Sequence, residues 1–177
     1  FPGNRVQITS KTTHGKLALV QVSSDRDPGE FFPFDTVNKK ADYMLARREW
    51  QDPTTMAEQR PFSFKARDGQ VLHGFLTIPR GSDGKHVPMV VMPHGGPFFV
   101  ADSWGFDSES QLLAAAGYAV LQVNFRGSSG YGRKFTQAGA REWGGKLQDD
   151  ITDATRWAVD QGVADAARIC IYGGSYG

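Results

Sequence analysis

The run Ala167-Arg168-Ile169-Cys170-Ile171-Tyr172, followed at once by Gly173-Gly174-Ser175-Tyr176-Gly177, decides how the rest of the chain is read. An apolar stretch ending in G-x-S-x-G predicts a buried strand that turns sharply at a serine, with a helix to follow. The turn holds the serine in a strained backbone conformation and lifts its hydroxyl clear of the sheet, where it can act as a nucleophile. Side chains two residues to either side would collide with the neighbouring strand and helix, which is why glycine suits positions 173 and 177. The chain opens at Phe1 without a methionine and closes on the pentapeptide itself. A serine nucleophile needs a histidine base and an acid, and after a turn of this kind both follow the serine, acid first. The expectation is an internal fragment of a longer protein, holding the nucleophile but neither partner, and inactive alone.

Working back from that strand, short apolar runs alternate with helical patterning. Val87-Pro88-Met89-Val90-Val91-Met92 and Tyr118-Ala119-Val120-Leu121-Gln122-Val123 read as strands buried on both faces. Between them, Ser108 to Gly117 predicts a helix with Leu112, Leu113 and Ala116 on its inner face and Gly117 as its C-cap. Leu147 to Asp160 places Leu147, Ile151, Ala154 and Ala158 at helical spacing, with Trp157 beside them. Such alternation predicts an α/β architecture with a mostly parallel sheet covered on both faces. Pro61–Ala66 and Val71–Ile78, joined at Asp68-Gly69, add an antiparallel hairpin at its edge.

Residues 60–177 form this α/β part, and the polar stretch 51–59, with Pro53, reads as a linker. Residues 1–50 differ, with period-two patterning broken by turn formers. Strands are expected at Lys16–Val22, at Glu30–Asp35 (confined to an edge by Pro33) and at Ala41–Leu45. So few short strands cannot close a core alone. They read as the tail of a larger all-β unit, or else as a β-meander packed directly on the next domain.

Lys+Arg 20 against Asp+Glu 19 gives a net charge of +1, with no basic block longer than Arg47-Arg48. This argues against nucleic acid or an anionic membrane as a partner. No apolar run approaches the ~18–20 residues of a spanning helix. The single cysteine, Cys170, excludes an internal disulfide and is expected as a small core residue. Cysteine scarcity suits cytoplasm and periplasm alike, so the compartment stays open. His14, His73 and His86 are scattered without metal-ligand spacing, and neither metal nor other cofactor is expected. Asp149, Asp150 and Asp153 gather near a helix start, where they suit the positive end of its dipole.

Two glycine-rich loops accompany the serine. Pro93-His94-Gly95-Gly96-Pro97 follows the first buried strand, and its glycines allow a tight turn with unobstructed N–H groups. Asn124-Phe125-Arg126-Gly127-Ser128-Ser129-Gly130-Tyr131-Gly132 follows the second, but its glycine order is not that of a dinucleotide loop. With Trp143-Gly144-Gly145 and Gly173–Gly177, these loops resemble the prolyl oligopeptidase (S9) family of serine peptidases, closest to its acylaminoacyl-peptidase and dipeptidyl-peptidase-like branches. The resemblance is strong over residues 60–177. The β-rich start is weakly similar to the end of that family's β-propeller.

The resemblance implies an α/β-hydrolase fold and a peptidase acting on short peptides, with a nucleophile elbow carrying Ser175. It implies an oxyanion hole from the amides of Tyr176 and Gly96, with Gly95 the less favoured donor. Some branches place a tyrosine hydroxyl where His94 stands here, so a hole built of backbone alone is expected. The Arg126-Gly127 loop is expected to wall the site. Phe98, Phe99 and Trp104 either line a substrate pocket or cover the sheet. His94 precedes the serine, so a triad with Asp102 and Ser175 is not expected. A carboxylesterase of the same fold, or a non-catalytic binding domain keeping the elbow as a relic, are the rival readings. Bond preference, endo- or exo-action and oligomeric state are not legible.

Overall fold

A computed structural model describes all 177 residues, in two compact units. The first comprises Phe1–Met56 with Gly105–Ser108, and the second Ala57–Trp104 with Glu109–Gly177. No helix is long and apolar enough to cross a membrane.

The first unit is an antiparallel sheet of β1 (Arg5–Lys11), β2 (Leu17–Ser23), β3 (Glu30–Asp35), β4 (Lys40–Ala41) and β5 (Leu45–Ala46). Alternation in β2 buries Ala18, Val20 and Val22 against Phe32 and Phe34 of β3. β1, not singled out in the sequence, pairs with β2 although all its residues are exposed. β3 is not an edge strand: it pairs with β2 on one side and with β4 and β5 on the other. Pro33 is tolerated because its own carbonyl, and hence its nitrogen, faces the gap between β4 and β5, where Asp42 N–H reaches Pro33 O. The expected third strand is likewise split into β4 and β5 by Asp42–Met44.

The second unit carries a five-stranded sheet in the order β10-β8-β9-β7-β6. Its strands are β6 (Gln59–Lys65), β7 (Val71–Thr77), β8 (Val87–Val91), β9 (Ala119–Asn124) and β10 (Ala164–Ile171). β10, β8 and β9 run parallel, while β7 and β6 join as an antiparallel hairpin. Its turn closes with Gly69 at φ 84°, a backbone that glycine adopts freely. The core holds Leu72, Met89, Val91, Leu121, Val123 and Phe125. α3 (Lys146–Asp160) covers it with Leu147, Ile151, Ala154 and Ala158, and Trp157 stacks 4.4 Å from Phe62.

α1 (Ser108–Ala115) ends at Gly117, φ 91°, but turns a different face inward than its leucines suggest. Ser110, Gln111 and Ala114 are buried, whereas Leu112 is 72% exposed and Ala116 is exposed. Specific hydrogen bonds explain this. Gln111 both accepts from Ala57 N–H and donates to Ala57 O, and the Ser110 hydroxyl reaches Gln122 of β9. Cys170 also departs from expectation: it is exposed, as are Ile171 and Tyr172. β10 is an edge strand, and an open groove of about 460 Å³ lies beside it, lined by Val91, Ile151, Thr155, Ile169 and Ile171. A five-residue helix, α2 (Arg133–Gln137), follows the loop after β9.

Candidate active site

β10 pairs with β8 through its last residues, and Tyr172 N–H still reaches Val91 O at 2.9 Å. Immediately afterwards the chain turns, and Ser175 sits exposed at φ 59°, a left-handed conformation costly for a non-glycine residue. The flanking glycines are required by space. A Cβ at Gly173 would overlap the Gly177 carbonyl group, and one at Gly177 would overlap Pro93 O and crowd His94. The turn is therefore locked onto the loop after β8. A Cβ at Gly95 would lie 3.2 Å from Gly174 O and 3.4 Å from Ser175 Cβ, so the diglycine corner packs directly against the serine. Gly96 follows at φ 122°, again a glycine conformation.

His94 lies under this corner. Its ring stacks 4.4 Å from the buried Phe125, its Nδ1 is 2.7 Å from Gly95 O, and its Nε2 is 2.8 Å from Ser128 Oγ. A carbonyl only accepts, so Nδ1 carries a proton toward Gly95 O, while Ser128 Oγ faces both Nε2 and Phe125 O, the latter at 2.7 Å. Burial pushes the imidazole below its usual value, with the Gly95 bond opposing, which favours the neutral form. Both nitrogens are engaged, and Asp102 is not among their partners: its N–H donates to Asn124 Oδ1 at 2.8 Å. Serine 128 and phenylalanine 125 were not singled out in the sequence. Their only signal is membership of the glycine-rich loop after β9.

That loop is anchored by a buried ion pair. Arg126 donates from Nε and Nη2 to Asp150 at 2.8 and 2.6 Å, and its main-chain N–H reaches the same carboxylate at 2.8 Å. Its other edge meets Asp68 at 2.7 and 3.1 Å. Hydrogen bonds from Arg126 hold Asp68 down at about 2, and the two carboxylates hold the guanidinium firmly in its charged form. Burial pushes Asp150 up, against the donors converging on it. Arg67 spans Asp153 and Asp149 beside them. The helix-start acids are thus ion-pair partners of two arginines, beyond any dipole role.

Tyr176 packs 5.5 Å from Phe125 and 5.2 Å from Trp143, and burial followed by the Asp150 charge pushes its phenol up. Phe98 lies against Gly127, where an added Cβ would come within 3.2 Å of its ring. Phe99, at φ 62°, is 83% exposed. Trp104 instead donates its Nε1–H to Gln59 O at the start of β6. His73 stacks 4.9 Å from Tyr131, and His14 and His86 are exposed. The structure thus brings Gly95 against Ser175 and ties Trp104 to the start of β6 instead.

Residues 104–177 match the model of the prolyl oligopeptidase family. The dipeptidyl aminopeptidase BIII of Pseudoxanthomonas mexicana is 38% identical over 99% of this chain and 26% of that protein. The crystal structure of a puromycin hydrolase, 30% identical, superposes with a TM-score of 0.79 over 92% of this chain and 25% of its own. An acylaminoacyl peptidase in complex with Z-Gly-Gly-Phe-chloromethyl ketone, 25% identical, superposes at 0.75 over 99% of this chain and 28% of its own. The chain spans about a quarter of the length of each. The second unit has the sheet of an α/β-hydrolase fold, and residues 104–177 of the chain are similar to the prolyl oligopeptidase family.

Proposed function

We propose that the whole protein is a serine peptidase hydrolysing short peptides through an acyl-enzyme, with Ser175 as nucleophile. The observation carrying this reading is the turn itself: a serine at φ 59°, exposed, with the Gly95-Gly96 corner against it. Ser175 Oγ attacks the peptide carbonyl as its proton passes to a histidine, and the resulting oxyanion rests on the amides of Gly96 and Tyr176. Collapse expels the amine, which takes the proton from the histidine, and water then releases the acyl group. In the order usual for this fold, the aspartate and that histidine follow the serine along the chain. Residues 1–50 contribute the end of a β-propeller, residues 51–59 a linker, and residues 60–177 the first part of the catalytic domain. Relatives that include a dipeptidyl aminopeptidase, and a neighbour holding a peptide-like inhibitor, favour peptides over simple esters as substrates.

A fluorophosphonate probe tests the reading on the whole protein. Covalent labelling of Ser175, lost with peptide turnover in Ser175→Ala at an unchanged melting temperature, is the expected result. Turnover surviving in Ser175→Ala refutes the assignment, and a folded wild-type protein that never labels supports a relic without a working base.

A further inference from the structure

We propose that His94 is a positioning residue for the oxyanion hole: through Nδ1–H it clamps Gly95 O, and Ser128 Oγ, 2.8 Å from Nε2, holds the ring in place. This rests on the peptidase reading above. The Gly95–Gly96 peptide is planar and trans, so its N–H points opposite to its C=O. Fixing the Gly95 carbonyl therefore fixes the direction of the Gly96 amide. Glycine on both sides of that peptide makes it free to rotate, and Gly96 already stands in a conformation that other residues avoid. A rotated peptide would present a carbonyl where the developing negative charge needs a donor.

Three observations converge on His94 as the restraint. Its Nδ1 contact, at 2.7 Å, is short for an N–H···O bond. Its ring is held against Phe125, which is fully buried. Ser128 is also fully buried, and its hydroxyl lies between Nε2, at 2.8 Å, and Phe125 O, at 2.7 Å. The Gly95 carbonyl can only accept, so a ring proton stands on Nδ1, facing it. The Ser128 main chain is fixed independently by its N–H to Phe125 O. His94 neither meets substrate nor moves a proton in the reaction. It sets the direction of a donor that does its work only in the transition state, so its loss falls on kcat and spares KM.

Two substitutions on the whole protein separate this role from mere packing. His94→Phe keeps a ring on Phe125 and removes both nitrogens, whereas His94→Asn loses the ring and keeps a donor near the position of Nδ1. Loss of one oxyanion donor costs about 10²–10³ in kcat, and a misdirected one part of that. We expect kcat to fall about 10- to 100-fold in His94→Phe with KM within about threefold, and His94→Asn to recover to within about fivefold of wild type. Should His94→Phe fail to fold, Ser128→Ala carries the test, with an expected three- to tenfold loss of kcat (an order-of-magnitude expectation) at unchanged KM. Wild-type kcat in His94→Phe or, where that does not fold, in Ser128→Ala, equal losses in His94→Phe and His94→Asn, or a loss confined to KM overturns the proposal while leaving Ser175 labelled by fluorophosphonate. A wild-type protein that neither labels nor turns over overturns this proposal and the peptidase reading together.

Discussion

Asp150→Asn probes the anchor of the loop that carries Ser128. The asparagine keeps the shape of Asp150 and one oxygen for the Arg126 main-chain N–H. It loses the negative charge and turns an N–H₂ donor toward a guanidinium that has only donors to offer. Arg126 then stays charged, 4% exposed, with Asp68 as its remaining counter-ion. Asp68 is 38% exposed on its side chain, and so screened a pair contributes about 0–1 kcal/mol. Breaking a buried pair from one side costs about 3–5 kcal/mol, because a desolvated charge is left behind. With 2–4 °C lost per kcal/mol in a unit of this size, the melting temperature should drop by roughly 10 °C. Calorimetry on the whole protein, following the transition of the catalytic unit, reads this directly. Arg126→Met with Asp150→Leu removes both charges and leaves chiefly the Arg126 N–H without an acceptor, a cost of about 1–3 kcal/mol. A drop of less than about 3 °C in Asp150→Asn, or a double substitution worse than the single one, would refute the view that the pair is a desolvated, mutually dependent unit.

Acid titration follows from the same cluster. Asp68 is held at about 2 in the folded protein, chiefly by its hydrogen bond to Arg126, against about 3.9 in an unfolded chain. Its contribution is complete above about pH 4 and lost as the pH falls toward 2, so Asp68→Asn should flatten that part of a stability-against-pH curve. An unchanged slope between pH 4 and 2 contradicts the pairing. At the elbow, Gly177→Ala should cut the rate of fluorophosphonate labelling more than tenfold, an order-of-magnitude expectation, since its Cβ overlaps Pro93 O. Gly174→Ala, with nothing within 4 Å of the added carbon, should keep the wild-type melting temperature. Expressed as these 177 residues alone, the chain should scatter light and associate through β10, where Ile171 is 60% exposed, with Tyr172 just beyond it at 51%. Ile171→Lys should reduce the scatter, and a soluble monomer that melts cooperatively argues against an exposed apolar edge.

The exposure of Leu112 and the burial of Ser110 and Gln111 show where periodicity stops being informative. A helical pattern says which residues share a face, but a polar face turns inward once a neighbouring backbone, here Ala57, supplies matching donors and acceptors. Cys170 makes the same point for strands: an apolar run reads alike in the middle of a sheet and at its edge. Pro33 was a sound reason to expect an edge, overridden because a neighbouring strand breaks in two opposite its nitrogen.

What the sequence alone determined are the features written in consecutive residues. These are the G-x-S-x-G turn with its obligatory glycines, the diglycine corner, the runs that become β8, β9 and β10, and the inner face of α3. Each depends on local backbone sterics or on the period of one element. Only the tertiary structure decided the partners: His94 with Ser128, 34 residues apart, Arg126 with Asp150 and Asp68, 24 and 58 apart, and Gly95 against Ser175. A hydrogen bond or a buried ion pair forms between whichever groups the fold brings within about 3 Å, and no pattern along the chain encodes that meeting.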